Sequence, residues 1–252
     1  MKHLSNFIIV ENKELNENCF LLVLKSDEPL EDIKPGNFVN VEVKDIQDRM
    51  LRRPISVYDV DYQANTISLV IQKIGKATKK LADIQVNEKI SIIYPLGNSF
   101  PTDYKKVLLV GGGVGTAPLY YLAKKYNDLG VRPDILIGAR TNKQLFLIDK
   151  YKQLGNVSIS TEDGSLGEKG IVTTNSLINR NYEAVLCCGP TPMMKAVSKI
   201  FEKKDIPCYV SLENRMACGI GACLCCVQDT KEKGNVCVCT KGPVFLSKEL
   251  NW

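Results

Sequence analysis

The sequence predicts a β barrel plus α/β fold: an antiparallel barrel, then a parallel sheet with helices, then a small segment held by metal. Three observations carry this. Short apolar runs follow one another at even spacing up to about residue 100, the signature of a small barrel. From Pro101 onward strand-like runs alternate with helical ones, as in a parallel sheet. Finally, six of the ten cysteines fall between Cys218 and Cys239, a density that suits a metal site better than a disulfide framework. The expected divisions are therefore 1–100, 101–210 and 211–252.

In the barrel the expected strands are Asn6–Val10, Cys19–Leu24, Phe38–Val43, Thr66–Ile71 and Lys89–Ile93, parted by turn formers such as Pro35-Gly36-Asn37. In the second region they are Val107–Val110, Asp134–Gly138, Val157–Ser160 and Ala184–Cys187, with helices over Pro118–Leu129 and Met193–Lys203. From about Ser211 the chain is rich in Gly and Cys and nearly aperiodic, so a bound metal is expected to hold it.

Composition narrows the function classes. With 44% hydrophobic and 24% charged residues among 252, the chain can bury a core and is not a disordered protein. No apolar run approaches the ~20 residues of a membrane span. The N-terminus alternates and then meets Glu11, Lys13 and Glu14, unlike a secretory signal, so the expected location is cytoplasmic. A net charge of +5 without a basic block interleaved with aromatics gives no footprint for nucleic acid.

The strand Val107–Val110 runs into Gly111-Gly112-Gly113-Val114-Gly115-Thr116-Ala117-Pro118 and then a helix. A strand, a glycine turn and a helix start make a dinucleotide site, because glycine lets backbone N–H groups come close to a phosphate. Pro118 replaces the third glycine and suits a first helical turn, where its missing N–H costs nothing. Gly113, Gly115, Thr116 and Pro118 are the candidate contacts. Cys188-Gly189-Pro190 and Gly138-Ala139-Arg140 each end a strand in the same way; taken singly they are plain strand-to-helix turns, and with the first turn they become ligand contacts. Arg140 with Lys143 is a faint candidate for a 2′-phosphate.

In the barrel, Arg53-Pro54-Ile55-Ser56 offers a guanidinium and a hydroxyl on one extended stretch, able to clamp a pyrophosphate and hydrogen-bond a ring nitrogen. By composition alone the segment reads as an edge strand with a solvated Arg pair. Val70-Ile71-Gln72 leads into Gly75-Lys76-Ala77-Thr78 and a helix, a second anion site with Thr78 as donor.

Cys218, Cys223 and Cys226 form C-x4-C-x2-C, and Cys239 supplies a fourth thiolate, the plant-type [2Fe–2S] spacing. Zinc is the rival, although its sites favour paired C-x2-C knuckles. Cys225 and Cys237 stand beside the chosen ligands, and choosing Cys225 would leave Cys223-x-Cys225, too tight for the pattern. Cys19, Cys187 and Cys208 are expected as small core residues.

On these motifs the chain resembles the ferredoxin reductase superfamily along its whole length, and within it the electron transfer subunits of NAD-linked dihydroorotate dehydrogenases. The resemblance rests on Arg53-Pro54-Ile55-Ser56, Gly111 to Pro118, Cys188-Gly189-Pro190, Met216 to Cys223, and Gly242-Pro243-Val244-Phe245 after Cys239. It implies FAD held by Arg53, Pro54, Ile55, Ser56, Val70, Ile71, Gln72, Gly75, Ala77 and Thr78. It implies NAD at Gly113, Gly115, Thr116, Pro118, Cys188, Gly189 and Pro190, and a [2Fe–2S] cluster on Cys218, Cys223, Cys226 and Cys239. Ala77 stands where the family often has Gly and Gln72 where it often has Arg, which weakens the flavin phosphate contacts there.

The resemblance implies a relay: a separate FMN-bearing catalytic subunit oxidises dihydroorotate in pyrimidine biosynthesis, and electrons pass through the cluster and FAD to NAD. A heterotetramer of two plus two subunits is expected. A flavin beside a one-electron cluster makes a two-to-one electron converter, and hydride transfer needs positioning above all, so no acid–base catalytic residue is expected. The alternatives are a reductase subunit working between NAD(P)H and ferredoxin or sulfur compounds, and a zinc-stabilised binding module without redox activity.

Overall fold

The computed structural model describes residues 2–44 and 51–252. The first six strands are β1 (His3–Asn16), β2 (Cys19–Ser26), β3 (Phe38–Val41), β4 (Arg53–Asp61), β5 (Thr66–Gln72) and β6 (Lys89–Leu96), with helix α1 (Lys76–Ala82) before the last. They close into a barrel in the order β1-β2-β5-β4-β3-β6 with all neighbours antiparallel. Alternation explains the closure. Phe7 and Ile9, Leu22 and Leu24, Val39 and Val41, Ile67 and Leu69, and Ile90 and Ile92 all point into one core with none of them accessible beyond 3%.

Two strands differ from expectation. β1 runs on through Glu11–Asn16, whose polar residues hide the strand from a reading of apolar alternation. Pairing with β2 from Phe7↔Ser26 to Asn16↔Cys19, with register shifts after Ile9 and Glu14, carries it round the barrel. Arg53–Asp61 is a strand of the barrel wall, paired to β3 and β5.

The second region contains β7 (Val107–Gly112), α2 (Ala117–Asp128), β8 (Asp134–Ala139), α3 (Ile148–Leu154), β9 (Asn156–Thr161), β10 (Glu168–Lys169), β11 (Ala184–Cys188), α4 (Thr191–Glu202) and β12 (Cys208–Ser211). Beyond them lie the hairpin β13 (Val227–Thr230) and β14 (Gly234–Cys237), the short helix α5 (Val238–Lys241) and β15 (Val244–Leu246). The sheet order is β10-β9-β8-β7-β11-β12-β15. All pairs are parallel except β12 with β15. Every residue of β7 is buried, which is why this central strand reads as an unbroken apolar run. The chain leaves β7 towards β8 and returns on the far side at β11, so the order reverses between these two strands, where open α/β sheets bind ligands.

The thiol-rich segment does not stand apart. Val238 and Cys239 are wholly buried, and with Cys226, Phe245 and Leu250 they share one core with Phe38 and Leu96 of the barrel and Val210 of the sheet. Apolar anchors therefore help to hold a segment for which metal alone is expected. Its last strand, β15, becomes the antiparallel edge of the sheet. Among the described residues no helix is long and apolar enough to cross a membrane.

Candidate functional site

Three places converge on the barrel. The first is a cleft of about 720 Å³ at the reversal point of the sheet, lined by Gly113, Gly115, Gly138, Arg140, Gly189 and Pro190 among others. Cys188 pairs with Gly111 in register, so both strand-to-helix turns open at the same level. The glycine turn is a 3-10 turn over Gly113–Thr116 that passes directly into α2, with Pro118 in its first turn. At Gly115 glycine is obligatory: a Cβ there would lie 2.6 Å from the Cα of Gly189, so the two turns touch backbone to backbone. Of the residues expected here, Gly113, Gly115, Gly189 and Pro190 line the cleft, whereas Thr116, Pro118 and Cys188 are buried behind it. The Thr116 carbonyl accepts a hydrogen bond from Tyr151 Oη at 3.0 Å. Cys19 and Gln72 bring the barrel to the same cleft, and Glu162, Met193 and Glu213 complete it. Those additions come from chain crossings that no local motif announces.

The second place is β4. Arg53, Pro54, Ile55 and Ser56 are half-buried while Val57, Tyr58 and Val60 are buried, so the first half of the strand forms an open face. Among the described residues, Arg53 Nη1 donates only to the carbonyls of Leu51 (2.7 Å) and Arg52 (3.1 Å). Arg52 instead holds β6 through Ser91 O (2.8 Å) and Ser91 Oγ (3.0 Å). Tyr58 lies flat against Tyr120 of α2, ring centroids 4.5 Å apart, and its buried hydroxyl has no partner among the described residues. Burial, then the neighbouring Tyr120 and Asp59, push that phenol well above its usual range. Val70, Ile71 and Ala77 are core residues, so any contact they make with a ligand is through backbone. Thr78 Oγ1 accepts from the N–H groups of Ile74 (3.0 Å) and Gly75 (3.1 Å) and donates to Gly75 O (3.2 Å), which engages it as the cap of α1.

The third place is the thiol segment. Cys218 and Cys223 share one loop, and Cys226 and Cys239 are both buried. Backbone N–H groups face these sulfurs: Ile220 N to Cys218 Sγ is 3.5 Å and Cys239 N to Cys226 Sγ is 3.4 Å. Slight burial raises the Cys218 thiol, but the bonds from Ile220, Cys223 and Ala222 outweigh it and bring it down to about 6. Burial, then Cys226, pushes Cys239 up to about 12. Gly219 adopts φ +71°, and a Cβ there would lie 2.7 Å from Asn40 Nδ2. That amide donates to Cys218 O at 3.3 Å, fastening the loop to β3. Cys237 is half-buried against the core that holds Cys226 and Cys239, whereas Cys225 is exposed.

These features fit the three groups expected. Backbone pressed on backbone leaves a cradle for a phosphate, and β4 offers a guanidinium that has no carboxylate partner among the described residues and, further along the strand, a buried hydroxyl without a partner among them. Four thiols at the plant-type spacing, with N–H donors on Cys218 and Cys226, suit a two-iron cluster better than tetrahedral zinc.

A closed antiparallel barrel joined to a reversing parallel sheet is the architecture of the ferredoxin reductase class. A solved NADH-dependent reduced ferredoxin–NADP oxidoreductase, described in connection with flavin-based electron bifurcation, superposes with a TM-score of 0.88 at 30% identity, covering 98% of this chain and 90% of that one. Residues 6–100 match the oxidoreductase FAD-binding domain family. Residues 213–251 match the iron-sulfur cluster binding domain of dihydroorotate dehydrogenase B. The dihydroorotate dehydrogenase B (NAD(+)) electron transfer subunit of Clostridium acetobutylicum is 40% identical, over 96% of this chain and 95% of its own. That of Fusobacterium nucleatum is 36% identical over 96% of both chains. The chain belongs to this family of electron transfer subunits.

Proposed function

We propose that this chain carries electrons from the FMN of a separate dihydroorotate dehydrogenase catalytic subunit, through a [2Fe–2S] cluster and FAD, to NAD+ in the cytoplasm. The observation that carries the reading is the barrel's position between the other two places. Gln72 and Cys19 border the nucleotide cleft, while Asn40, on another strand of the same barrel, holds the thiol loop. A flavin, when bound, exchanges electron pairs with nicotinamide and single electrons with a cluster. Arg53 and Ser56 would hold and orient it on β4. Gly113, Gly115, Gly189 and Pro190 would hold the dinucleotide so that its reactive end faces the barrel. Cys218, Cys223, Cys226 and Cys239 would ligate the iron, with backbone N–H groups stabilising the sulfur charge.

NAD is favoured over NADP because Glu162 lines the same cleft as Arg140, so that edge is no basic cluster for a 2′-phosphate. The exposed Ile220, Leu224 and Val227 around the thiols form the apolar face on which the catalytic subunit would dock, in a complex of two plus two subunits. The likeness to the ferredoxin-linked oxidoreductase supports a second reading, in which ferredoxin replaces the FMN subunit.

One reconstitution separates the two. The isolated chain should oxidise NADH with artificial acceptors and leave dihydroorotate untouched, and addition of its cognate FMN subunit should create dihydroorotate-dependent NAD+ reduction. A firmly bound pair without that reaction, with turnover instead on ferredoxin, overturns the first reading in favour of the second. Sedimentation of the pair tests the stoichiometry.

A further inference from the structure

The nucleotide cleft has one wall where a hydroxyl is held by a neighbour and still has a proton to give. Gly112 of β7, Gly138 of β8 and Ser160 of β9 stand in register across three neighbouring strands, and all three line the cleft. A Cβ at Gly112 would run into Met193 Sδ, and one at Gly138 into Val172 Cγ1, so apolar side chains close in on both glycines. Ser160 brings the polar side chain of the row, and the residue is only 1% exposed.

Its partner is Asn175, also 1% exposed, where the turn Val172–Thr174 gives way to the turn Ser176–Asn179. Leu177 N donates to Asn175 Oδ1 at 3.0 Å. A backbone N–H can only donate, so this bond fixes which end of the amide is oxygen and turns the nitrogen to β9. There Asn175 Nδ2 donates to Ser158 Oγ and to Ser160 Oγ, each at 3.0 Å. Ser158 returns its own proton to Asn175 Oδ1 at 3.3 Å. Ser160 Oγ accepts from the amide, and its O–H has no acceptor among the described residues, although buried polar groups are regularly satisfied.

We infer that Ser160 donates this proton to the adenosine half of the dinucleotide, with Asn175 as the positioning residue that fixes the hydroxyl for it. The inference rests on the reading that this cleft holds NAD. Neighbouring strands lie about 4.8 Å apart, which puts Ser160 roughly 10 Å along the sheet edge from the glycine turn that follows β7. It stands on the β9 side of that turn, with Arg140 and Glu162, and away from β11, whose turn at Gly189 and Pro190 would take the reactive end. The acceptors that adenosine offers there are ribose oxygens and ring nitrogens.

The test uses the full chain with FAD and cluster, as wild type, Ser160→Ala, Asn175→Asp and Asn175→Ala. Aspartate still accepts from Leu177 N but has no proton for Ser160, whose hydroxyl would turn back to donate to it. ADP-ribose, which carries the adenosine half and exchanges no electrons, is titrated by calorimetry. NADH and reduced nicotinamide mononucleotide are compared as donors to an artificial acceptor, and retained FAD is the control for folding. Ser160→Ala should raise the ADP-ribose Kd and the NADH KM about two- to tenfold, the loss of one neutral hydrogen bond. Its kcat and its kinetics with the mononucleotide should match wild type. Asn175→Asp should follow Ser160→Ala although the serine is present. Wild-type ADP-ribose affinity in Ser160→Ala overturns the inference, since the hydroxyl then meets water only. Equal losses with NADH and the mononucleotide overturn it too. Wild-type affinity in a folded Asn175 variant, or loss of FAD from both, removes the positioning role. A wild-type chain that binds neither ADP-ribose nor NADH removes the underlying reading instead.

Discussion

Arg52 and Arg53 are chemically identical neighbours whose partners give them different work. Arg52 is spent on Ser91 and, at 3.7 Å, on Glu42. Among the described residues Arg53 holds only the neighbouring carbonyls of Leu51 and Arg52, bonds that an anionic ligand can replace. Arg53→Ala should therefore weaken FAD binding by about ten- to hundredfold, the loss of a charge-assisted contact worth ~1.5 to 3 kcal/mol, with iron content unchanged. Arg52→Ala should lower the unfolding midpoint and leave flavin affinity nearly intact. Flavin titration of both variants decides, and equal affinities would remove Arg53 from the site. Among the cysteines, Cys218→Ser, Cys223→Ser and Cys226→Ser should each abolish or severely weaken the visible and paramagnetic signals, while Cys225→Ser keeps them. Spacing makes Cys226 the third ligand, and its burial beside the Cys239 N–H supports the same choice. Retention in Cys226→Ser with loss in Cys225→Ser would shift the register by one residue.

At the scale of elements, the junction of β7 with α2 shows which part of a motif is contact and which is support. Gly113 and Gly115 line the cleft, while Thr116 and Pro118 pack behind it. A motif counts residues along the chain, but the 3-10 turn swings the later ones inward. Gly115→Ala tests how tightly the two turns must meet. Its new Cβ would collide with backbone at Gly189, which cannot rotate away. We expect a stability loss of about 1 to 3 kcal/mol and weaker NADH binding, read by denaturant unfolding and by NADH titration. Wild-type values for both would show that the turns separate freely.

Across the whole molecule, α2 locks the barrel to the sheet. Lys124 Nζ meets Asp59 Oδ1 at 2.7 Å, Tyr121 Oη donates to Ile33 O at 2.9 Å, and Tyr120 stacks on Tyr58. The C-terminal segment adds a second lock. Phe245 is buried in the core shared by barrel, sheet and thiol segment, and Asn98 of the barrel donates to Val244 O at 2.8 Å. Phe245→Ala should cost about 3 to 5 kcal/mol in urea unfolding and loosen the cluster as well. A loss below about 1 kcal/mol would mean that β15 is an appendage.

The barrel, the parallel sheet, the glycine turn and the four spaced thiols are all legible in the order of residues. Each of these is a local pattern: alternation along Phe7–Ile9, the unbroken run Val107–Val110, a fixed interval from Cys218 to Cys226. Local patterns survive in one dimension because they follow from the repeat of the backbone itself. Which distant pieces meet is settled by the fold. Gln72 and Cys19 reach the nucleotide cleft, Asn40 holds the thiol loop, and β15 returns to edge the sheet. These are long-range juxtapositions, set by how apolar faces exclude water together, and no interval along the chain encodes them.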